Sequence, residues 1–299
     1  MRQFTATVID NHPFCIQRRQ SGNKTLLGFH LIWLSCPQME KAKPGQFVMV
    51  RCGDECVLPR PFSIHRANDG KIALWIAVWV DGKGTQWLSQ RQVGDTIELV
   101  GPLGNGYEIQ PASHKLLLLA GGVGIAPLYF LAQEAIKKSC SVTLIHGASR
   151  EINLYPEEMP SGIKLVTITE DGSKGKKGLV INLLPDFIGG ADQVFACGPV
   201  GMYRTMAKMP ELKNKPVQVS LEVVMGCGMG VCYGCTIKTR KGLKQVCKDG
   251  PVFDLKDIIW EEITRDLRGA SPYGDPIPLT LTRARPWIII LNDSVIKRW

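Results

Sequence analysis

The sequence lacks the features of a secreted or membrane-spanning chain. Residues 1–14 contain no apolar segment of the kind that a signal peptide requires. The long apolar stretch at residues 116–136 is interrupted by three glycines and by Pro127, which favours a buried strand, turn and helix over a membrane span. We therefore expect a cytoplasmic protein, whose cysteine thiols stay reduced and can bind iron.

The sequence also lacks the concentrated basic stripe that is typical of nucleic-acid binding. The 299 residues carry 36 Lys and Arg against 27 Asp and Glu, a net charge of +9. Apart from short basic runs at residues 174–177 and 240–244, these charges are spread along the chain. Phosphate-bearing cofactors, an acidic protein partner or a merely solvated basic surface explain the balance better, and we expect no nucleic acid.

Cysteine, by contrast, is plentiful, and four of the ten cysteines lie within residues 225–247. Three have the spacing C-x4-C-x2-C and the fourth follows after eleven residues; they are Cys227, Cys232, Cys235 and Cys247. This run is typical of plant-type 2Fe–2S sites. Four glycines among them allow a tight loop whose N–H groups turn toward sulfur. Predicted strands at residues 236–239 and 243–246 form a hairpin that returns Cys247 to the loop.

Zinc and disulfides are the alternatives at these cysteines. A structural zinc site usually pairs its ligands as two C-x2-C knuckles, and here only Cys232 and Cys235 form one. The five histidines show no ligand spacing, and Cys52 and Cys56 lack a matching pair, so we assign them no metal. Disulfides would imply a secreted chain. The pattern favours 2Fe–2S, with zinc left open.

Residues 1–108 are predicted to form an antiparallel β-barrel. Short apolar and β-branched runs, separated by turn residues, lie at residues 4–9, 26–33, 46–50, 72–80 and 96–100. Two segments between them suit a dinucleotide such as FAD. Arg60, Pro61, Phe62 and Ser63 can bind a phosphate and a flat ring, although they also fit an ordinary strand entry. Residues 82–85 precede a predicted helix at residues 86–91 and offer backbone N–H groups to an anion.

Residues 109–219 are predicted to form a doubly wound α/β domain. Strands are predicted at residues 115–120, 141–146, 164–169 and 193–196, with helices at residues 128–137, 178–184 and 201–208. The first strand is followed by a glycine turn and a helix, the context of a nucleotide-binding loop. Cys197, Gly198 and Pro199 end the last strand, which would place Cys197 at a nicotinamide, although a lone cysteine there is more often simply buried.

Four residues that follow predicted strands are candidates for contact with the nucleotide. Glu170 and Asp171 follow a strand, where they would touch a ribose or form an ordinary surface turn. Ser149 and Arg150 follow the neighbouring strand, and an arginine there can bind a 2′-phosphate. These residues leave NAD and NADP open.

Residues 220–260 are predicted to be a small 2Fe–2S domain. A predicted strand at residues 217–224 leads into the cysteine loop, and Glu222 within it would approach the flavin and nicotinamide or only a backbone N–H. The tail, residues 261–299, contains four prolines and then an apolar run. A partner-docking strand, a disordered extension and a sequence accident all fit this tail.

These motifs together resemble the ferredoxin–NADP reductase superfamily and, more narrowly, the electron-transfer subunits of type B dihydroorotate dehydrogenases. The resemblance runs from residue 4 to residue 260 and is most specific at the cysteine loop. It implies FAD, NAD and a 2Fe–2S cluster as cofactors. The residues implied for FAD are Arg60, Pro61, Phe62, Ser63, Ala77, Val78, Trp79, Gly84 and Thr85. Those implied for the nicotinamide dinucleotide are Gly121, Gly122, Gly124, Pro127, Gly198 and Pro199. Catalytic roles fall on Cys197 and Glu222, and cluster ligation on Cys227, Cys232, Cys235 and Cys247.

The resemblance also implies a partner, an FMN-containing dihydroorotate dehydrogenase catalytic subunit, in a heterotetramer of two of each. Because the chain shows no separate substrate barrel of about 250 residues, dihydroorotate would be oxidised on that partner. A nicotinamide moves two electrons as hydride and a 2Fe–2S cluster moves one at a time, so FAD would sit between them.

Three other functions stay open. The small subunits of bifurcating ferredoxin–NADP oxidoreductases and sulfide dehydrogenases are similar, although they tend to have an aspartate where this chain has Cys227. A self-contained NAD(P)H:acceptor reductase would use the same cofactors. A zinc-stabilised binding module, from a different class, would be colourless.

Overall fold

The first domain has seven strands, six of which form a closed barrel, in a computed structural model that describes residues 2–21, 24–157 and 159–263. They are β1 (Arg2–Phe14), β2 (Arg19–Ser21), β3 (Lys24–Ser35), β4 (Phe47–Val50), β5 (Arg60–Asn68), β6 (Lys71–Trp79) and β7 (Thr96–Leu103). Six follow the order β1-β7-β4-β5-β6-β3, and pairing of β1 with β3 closes the sheet. β2 extends β3. Closure leaves few free strand edges, and the predicted barrel is confirmed.

The sequence pattern indicated only the start of β5, through the strand entry that Arg60, Pro61, Phe62 and Ser63 also fit. Its residues, RPFSIHRAN, mix a proline with histidine and arginine and lack a clean alternation of apolar and polar side chains. Pairing with β4 and β6 nevertheless holds the segment in the barrel. The segment beginning with Arg60 is therefore the start of a strand inside the sheet. Helix α1 (Lys83–Ser89) begins three residues earlier than predicted, so Gly84 and Thr85 lie in its first turn.

The second domain is a parallel sheet covered on both faces. Its elements are β8 (Lys115–Gly121), α2 (Ile125–Lys137), β9 (Ser141–Ala148), β10 (Ile163–Thr169), β11 (Lys176–Lys177), α3 (Leu184–Ile188), β12 (Gln193–Cys197), α4 (Val200–Met206) and β13 (Val217–Ser220). The parallel strands follow the order β11-β10-β9-β8-β12-β13. Short 3-10 turns lie at Gly122–Gly124, Glu151–Asn153, Val180–Leu183 and Pro210–Leu212.

Strand β8 shows why the sheet needs cover on both sides. Leu116 and Leu118 pack toward α2 and the barrel, whereas Leu117 and Leu119 pack toward α3 and α4. All four are at most 2% exposed, as expected for a continuous apolar strand in a parallel sheet. The doubly wound domain is therefore confirmed, with α2 lying between the sheet and the barrel.

Two predicted elements differ from the structure. The helix predicted at residues 178–184 is a 3-10 turn, Val180–Leu183, that continues into α3. Its late start follows from Gly178, whose φ of +141° suits glycine alone. The strand predicted at residues 217–224 ends at Ser220, so Glu222 follows β13 instead of lying within it.

A small C-terminal unit completes the described chain. It comprises β14 (Thr236–Thr239), β15 (Gly242–Gln245), α5 (Val246–Asp249) and β16 (Val252–Asp254). β14 and β15 form the predicted hairpin, and β16 pairs antiparallel with β13, which ties this unit to the nucleotide domain. The predicted tail at residues 261–299 falls, from residue 264 on, outside the described residues. None of the helices in the described ranges is long and apolar enough to cross a membrane.

Candidate functional site

The four cysteines of the C-terminal unit form two neighbouring pairs. The backbone N–H of Cys232 donates to Sγ of Cys227, and the backbone N–H of Cys247 donates to Sγ of Cys235, each at 3.4 Å. Among the described residues, no group of three His, Cys, Asp or Glu side chains is arranged to hold a single metal ion. A tetrahedral zinc needs four converging ligands, whereas the two irons of a 2Fe–2S cluster each take two thiolates. The pairing of Cys227 with Cys232 and of Cys235 with Cys247 matches two irons that take two thiolates each.

Backbone N–H groups of the loop point at the sulfur atoms. Sγ of Cys227 accepts three of them at 3.4 Å each, from Met229, Val231 and Cys232. Sγ of Cys247 accepts the N–H of Gly230 at 3.1 Å. Burial raises the pKa of Cys227, but the backbone donors outweigh burial and bring the pKa down to about 7. The loop therefore stabilises negative charge on the sulfur of Cys227, whereas burial and the neighbouring Cys235 raise the pKa of Cys247 to about 12.

The cysteine loop lies against the barrel. Gly228 has a φ of +71°, and a Cβ there would stand 2.3 Å from Cγ of Met49 on β4. Met49 pairs directly with Pro61 of β5. Leu58 also approaches the loop, with its Cδ1 4.0 Å from the position of a Cβ on Gly226. The loop thus sits beside the segment in which the sequence predicts flavin-binding residues.

Both predicted flavin-binding segments meet in the structure. A Cβ on Gly84 would stand 2.9 Å from Cγ of Arg60, so the first turn of α1 lies directly against the arginine. Arg60 donates from Nη1 to the carbonyl of Leu58 at 2.7 Å and keeps further N–H groups for a phosphate. Thr85 donates its hydroxyl to the carbonyl of Gly82 at 3.0 Å, and its backbone N–H belongs to the first turn of α1, where such groups have no intrahelical partner. Phe62 and Ser63 are half-buried beside Arg60.

Three residues at the end of β6 are predicted to bind the flavin, and two of them face a cavity with their side chains. Ala77 and Trp79 line a cavity, described below, between the barrel and the nucleotide domain. Val78 is 4% exposed and points into the barrel core, because successive strand residues face opposite sides. A contact of Val78 with the flavin would therefore be made through its backbone, and that contact stays a prediction.

The glycine loop packs backbone to backbone against the turn after β12. A Cβ on Gly124 would stand 2.0 Å from the carbonyl oxygen of Cys197. A Cβ on Gly121 would stand 2.8 Å from Cδ of Pro199 and 3.3 Å from Cα of Gly198. Neither position has room for a side chain, so Gly121 and Gly124 are required by this close approach, whereas Gly122 has open space around it and a φ of +56°.

A cavity of ≈ 390 Å³ runs along the carboxyl ends of the parallel strands, where nucleotides bind in such sheets. Its walls bring together residues from five strand ends and the barrel. They include Ala77, Trp79, Gly121, Gly122, Ser149, Asn153, Glu170, Gly198, Pro199 and Glu222. Gly124 and Pro127 are buried and do not line the cavity. This arrangement joins a barrel surface to a nucleotide-binding edge.

The two candidate catalytic residues lie close together, but only one faces the cavity. Glu222 lines the cavity, whereas Cys197 is 1% exposed and lies behind its wall. Burial first, and Glu222 next, raise the pKa of Cys197 well above its ordinary value. Cys197 is therefore a neutral thiol at neutral pH, and its predicted contact with the nicotinamide stays a prediction.

Sequence reasoning missed the groups that fix the cavity walls. The hydroxyl of Tyr203 accepts the N–H of Gly198 at 2.8 Å and donates to the carbonyl of Ser220 at 2.7 Å. His146 donates from Nε2 to the carbonyl of Gly122 at 3.1 Å. Burial lowers the pKa of His146 to about 4, so the ring is neutral. An aromatic residue or a histidine gives no sequence signal for such contacts with backbone.

The fold and this site define a ferredoxin reductase-like flavoprotein class with an added iron–sulfur domain. Three family models match the chain in that order. They are an oxidoreductase FAD-binding domain at residues 30–107, an oxidoreductase NAD-binding domain at residues 118–208, and the iron–sulfur cluster binding domain of dihydroorotate dehydrogenase B at residues 222–259.

Curated relatives narrow the class. The chain is 40% identical over 225 residues to the dihydroorotate dehydrogenase B (NAD(+)) electron transfer subunit of Caldanaerobacter subterraneus subsp. tengcongensis, covering 74% of this chain and 89% of the relative. It is 41% identical over 222 residues to the subunit of the same name from Clostridium acetobutylicum, covering 73% and 87%. The chain belongs to the family of dihydroorotate dehydrogenase B electron-transfer subunits.

Solved structures agree with this fold. A structure of an NADH-dependent reduced ferredoxin–NADP oxidoreductase, described in terms of flavin-based electron bifurcation, has a TM-score of 0.74 and 28% identity and covers 87% of this chain and 92% of its own. A Neisseria gonorrhoeae ferredoxin–NADP+ reductase with bound FAD and NADP has a TM-score of 0.56 at 19% identity, covering 68% and 88%, and supports the fold alone.

Proposed function

We propose that this chain is the electron-transfer subunit of an NAD-dependent dihydroorotate dehydrogenase, working in pyrimidine biosynthesis in the cytoplasm. It would accept electrons taken from dihydroorotate by a partner subunit and deliver them to NAD+. The observation that carries the proposal is the cysteine loop seated on Met49, next to Pro61 and Leu58, in a barrel whose Ala77 and Trp79 also line the nucleotide cavity. One barrel thereby adjoins both other sites.

Each cofactor is assigned to residues that the structure brings together. Arg60, Pro61, Phe62, Ser63, Gly84 and Thr85 would hold FAD, and Cys227, Cys232, Cys235 and Cys247 would hold the 2Fe–2S cluster. Gly121, Gly122, Gly198 and Pro199 would bind NAD from the cavity wall, with Gly124 and Pro127 supporting them from behind. When bound, FAD exchanges two electrons as hydride with a nicotinamide and single electrons with iron.

The residues of this chain bind the cofactors and orient them. Arg60 neutralises phosphate charge from a position fixed by Gly84 and by its bond to Leu58. Tyr203 holds the Gly198 turn against β13, which sets one wall of the cavity. Glu222 places a carboxylate at that wall beside the neutral thiol of Cys197. These contacts fix the position of a nicotinamide against the barrel.

Exposed apolar side chains near the cysteine loop support a protein partner. Val57 and Leu58 are 92% and 50% exposed, and Val231 and Tyr233 on the loop are each 70% exposed. Leu58 touches the loop at Gly226. Large apolar side chains grouped at a surface mark interaction sites. We infer that the FMN-containing catalytic subunit docks here, in an assembly of two copies of each subunit.

The bifurcating reductase with a TM-score of 0.74 supports a second candidate, the small subunit of a bifurcating ferredoxin–NADP oxidoreductase or sulfide dehydrogenase. Identity of 40% to a dihydroorotate dehydrogenase B subunit against 28% to that reductase favours the first. A cysteine at position 227 favours it as well, because the second family tends to have an aspartate there.

Rapid mixing of the purified FAD-loaded chain tests the proposal. NADH should bleach the flavin of the isolated chain, and dihydroorotate should do so only after the partner subunit is added. The Cys232→Ser variant should lose iron and acid-labile sulfide and block the transfer from dihydroorotate, while NADH still bleaches its flavin. Cys15→Ser, a half-buried cysteine of the barrel, is the matched control and should behave as wild type. Rapid flavin reduction by dihydroorotate without a partner would refute the proposal.

A further inference from the structure

The residues that line the cavity follow one another in the order of the parallel strands. From one end, its contributors are Glu222 after β13, Gly198 after β12, the glycine loop after β8, Ser149 after β9 and Glu170 after β10. The glycine loop is the pyrophosphate position in such domains. Ala77 and Trp79 of the barrel mark the nicotinamide side. The ends of β9 and β10 therefore face the adenosine ribose, about 5 to 10 Å from the loop at the usual strand spacing.

The adenosine end is built from hydrogen-bond acceptors. Asn153 donates from Nδ2 to the hydroxyl of Ser149 at 2.7 Å, and both line the cavity. Within the described residues, Oδ1 of Asn153 is buried and has no hydrogen-bond partner. A buried acceptor without a hydrogen-bond partner is unfavourable, and a ribose hydroxyl would satisfy it. Glu170 adds a carboxylate to the same wall, held in place by its N–H bond to the carbonyl of Ala148 at 3.0 Å.

The cation that would suit a 2′-phosphate is already paired. Arg150 Nε lies 3.8 Å from Oδ2 of Asp171. Ser173 donates its hydroxyl to Asp171 at 2.6 Å and its N–H at 2.9 Å, and these bonds lower the pKa of Asp171. The same hydroxyl accepts the N–H of Glu151 at 2.7 Å, which ties the turn after β10 to the turn after β9. Asp171 is therefore a fixed negative charge beside Arg150.

We propose that Asn153, Glu170 and Asp171 make this end of the cavity select the free 2′-hydroxyl of NAD and reject the 2′-phosphate of NADP. Asn153 and Glu170 accept hydrogen bonds from the ribose hydroxyls, which a phosphate ester cannot donate. Glu170 and Asp171 repel the added charge, and Asp171 occupies Arg150. The inference rests on the proposed dinucleotide site and identifies the residues that set its specificity.

Calorimetric titration with ADP and with adenosine 2′,5′-bisphosphate measures binding at this end of the cavity without any reaction. Wild type should bind ADP more tightly. The double variant Glu170→Gln/Asp171→Asn should shift the ratio of the two dissociation constants toward the 2′-phosphate ligand by about tenfold, because two repulsive charges are removed. Asn153→Ala should weaken the binding of ADP and should not weaken the binding of adenosine 2′,5′-bisphosphate. Asp186→Asn, which loses an exposed carboxylate 3.1 Å from Lys176, is the charge control and should leave the ratio unchanged.

The outcomes separate this inference from the proposed function. An unshifted ratio in the double variant, or an equal shift in Asp186→Asn, overturns the specificity assignment while NADH still reduces the wild-type flavin. The ratio of flavin reduction rates with NADPH and NADH should move in the same direction as the binding ratio. Failure of wild type to be reduced by either nucleotide would instead overturn the dinucleotide site on which the inference rests.

Discussion

Gly124 is the position at which one methyl group tests the contact between the glycine loop and the turn after β12. Its φ of −59° and ψ of −11° suit alanine, so Gly124→Ala introduces no backbone strain. Its Cβ, however, would stand 2.0 Å from the carbonyl oxygen of Cys197 and 2.5 Å from the carbonyl carbon. A carbon–oxygen contact needs about 3.3 Å, so the loop must withdraw by roughly 1.3 Å.

That displacement is large for a nicotinamide that must react with the flavin. A misplacement of about 1 Å can cost about 100-fold in rate, so flavin reduction by NADH should slow by about 100-fold in Gly124→Ala. Rapid mixing with NADH, followed through flavin absorbance, measures this rate. Gly189→Ala is the matched control, because its added Cβ would meet no atom within 4 Å and its φ of −60° also suits alanine.

Gly124→Ala should affect the position of the glycine loop and leave the folding of the barrel unchanged. FAD content and thermal unfolding of Gly124→Ala should show that the barrel is intact, since Gly124 lies in the nucleotide domain. A variant that retains FAD and is reduced as fast as wild type would show that the loop does not need this contact. An equal loss in Gly189→Ala would show that any added methyl group slows the reaction.

Two further predictions concern the flavin and acid stability. Arg60→Ala should release FAD on gel filtration, whereas Arg51→Ala, an exposed barrel arginine 3.6 Å from Glu98, should retain it. Burial lowers the pKa of His65 to about 3 and of His146 to about 4. Both rings take up a proton more readily in the unfolded chain, whose histidine pKa is about 6.5. The free energy of unfolding should therefore be highest above pH ~6.5 and should fall by about 1.4 kcal/mol per histidine per pH unit toward pH ~4. Urea unfolding at several pH values measures this fall.

The parts of the molecule that follow from local sequence were predicted well. The cysteine spacing fixes the iron–sulfur domain, because ligands on one short loop leave little freedom. The apolar run of β8, the glycines after it and the helix α2 follow one another along the chain, so their order alone indicates a nucleotide-binding unit. The barrel follows from five of its strands, and only the start of β5 was indicated, because tertiary pairing extends a weak local pattern.

The parts that depend on distant contacts were not predictable. Arg66 contacts Glu157 and donates to the hydroxyl of Tyr155 at 2.6 Å, which joins β5 to the nucleotide domain across about ninety positions of the chain. His65 donates from Nδ1 to the carbonyl of Ala126 at 3.0 Å in the same contact region. No period or motif marks these residues, since each pairs with a partner fixed only by the fold. The unpartnered acceptor of Asn153 is hidden for the same reason.

The segment after β13 explains how one short stretch of chain serves two sites. Glu222 lines the nucleotide cavity, and Cys227 is five positions further along. Five residues span at most about 17 Å when extended, so the nucleotide cavity and the first cysteine ligand cannot separate further than that. Gly226 and Gly228 then bring the loop onto Leu58 and Met49 of the barrel. The chain connection therefore limits the separation of cavity and cluster loop, while packing on the barrel fixes the loop beside the flavin-binding segment.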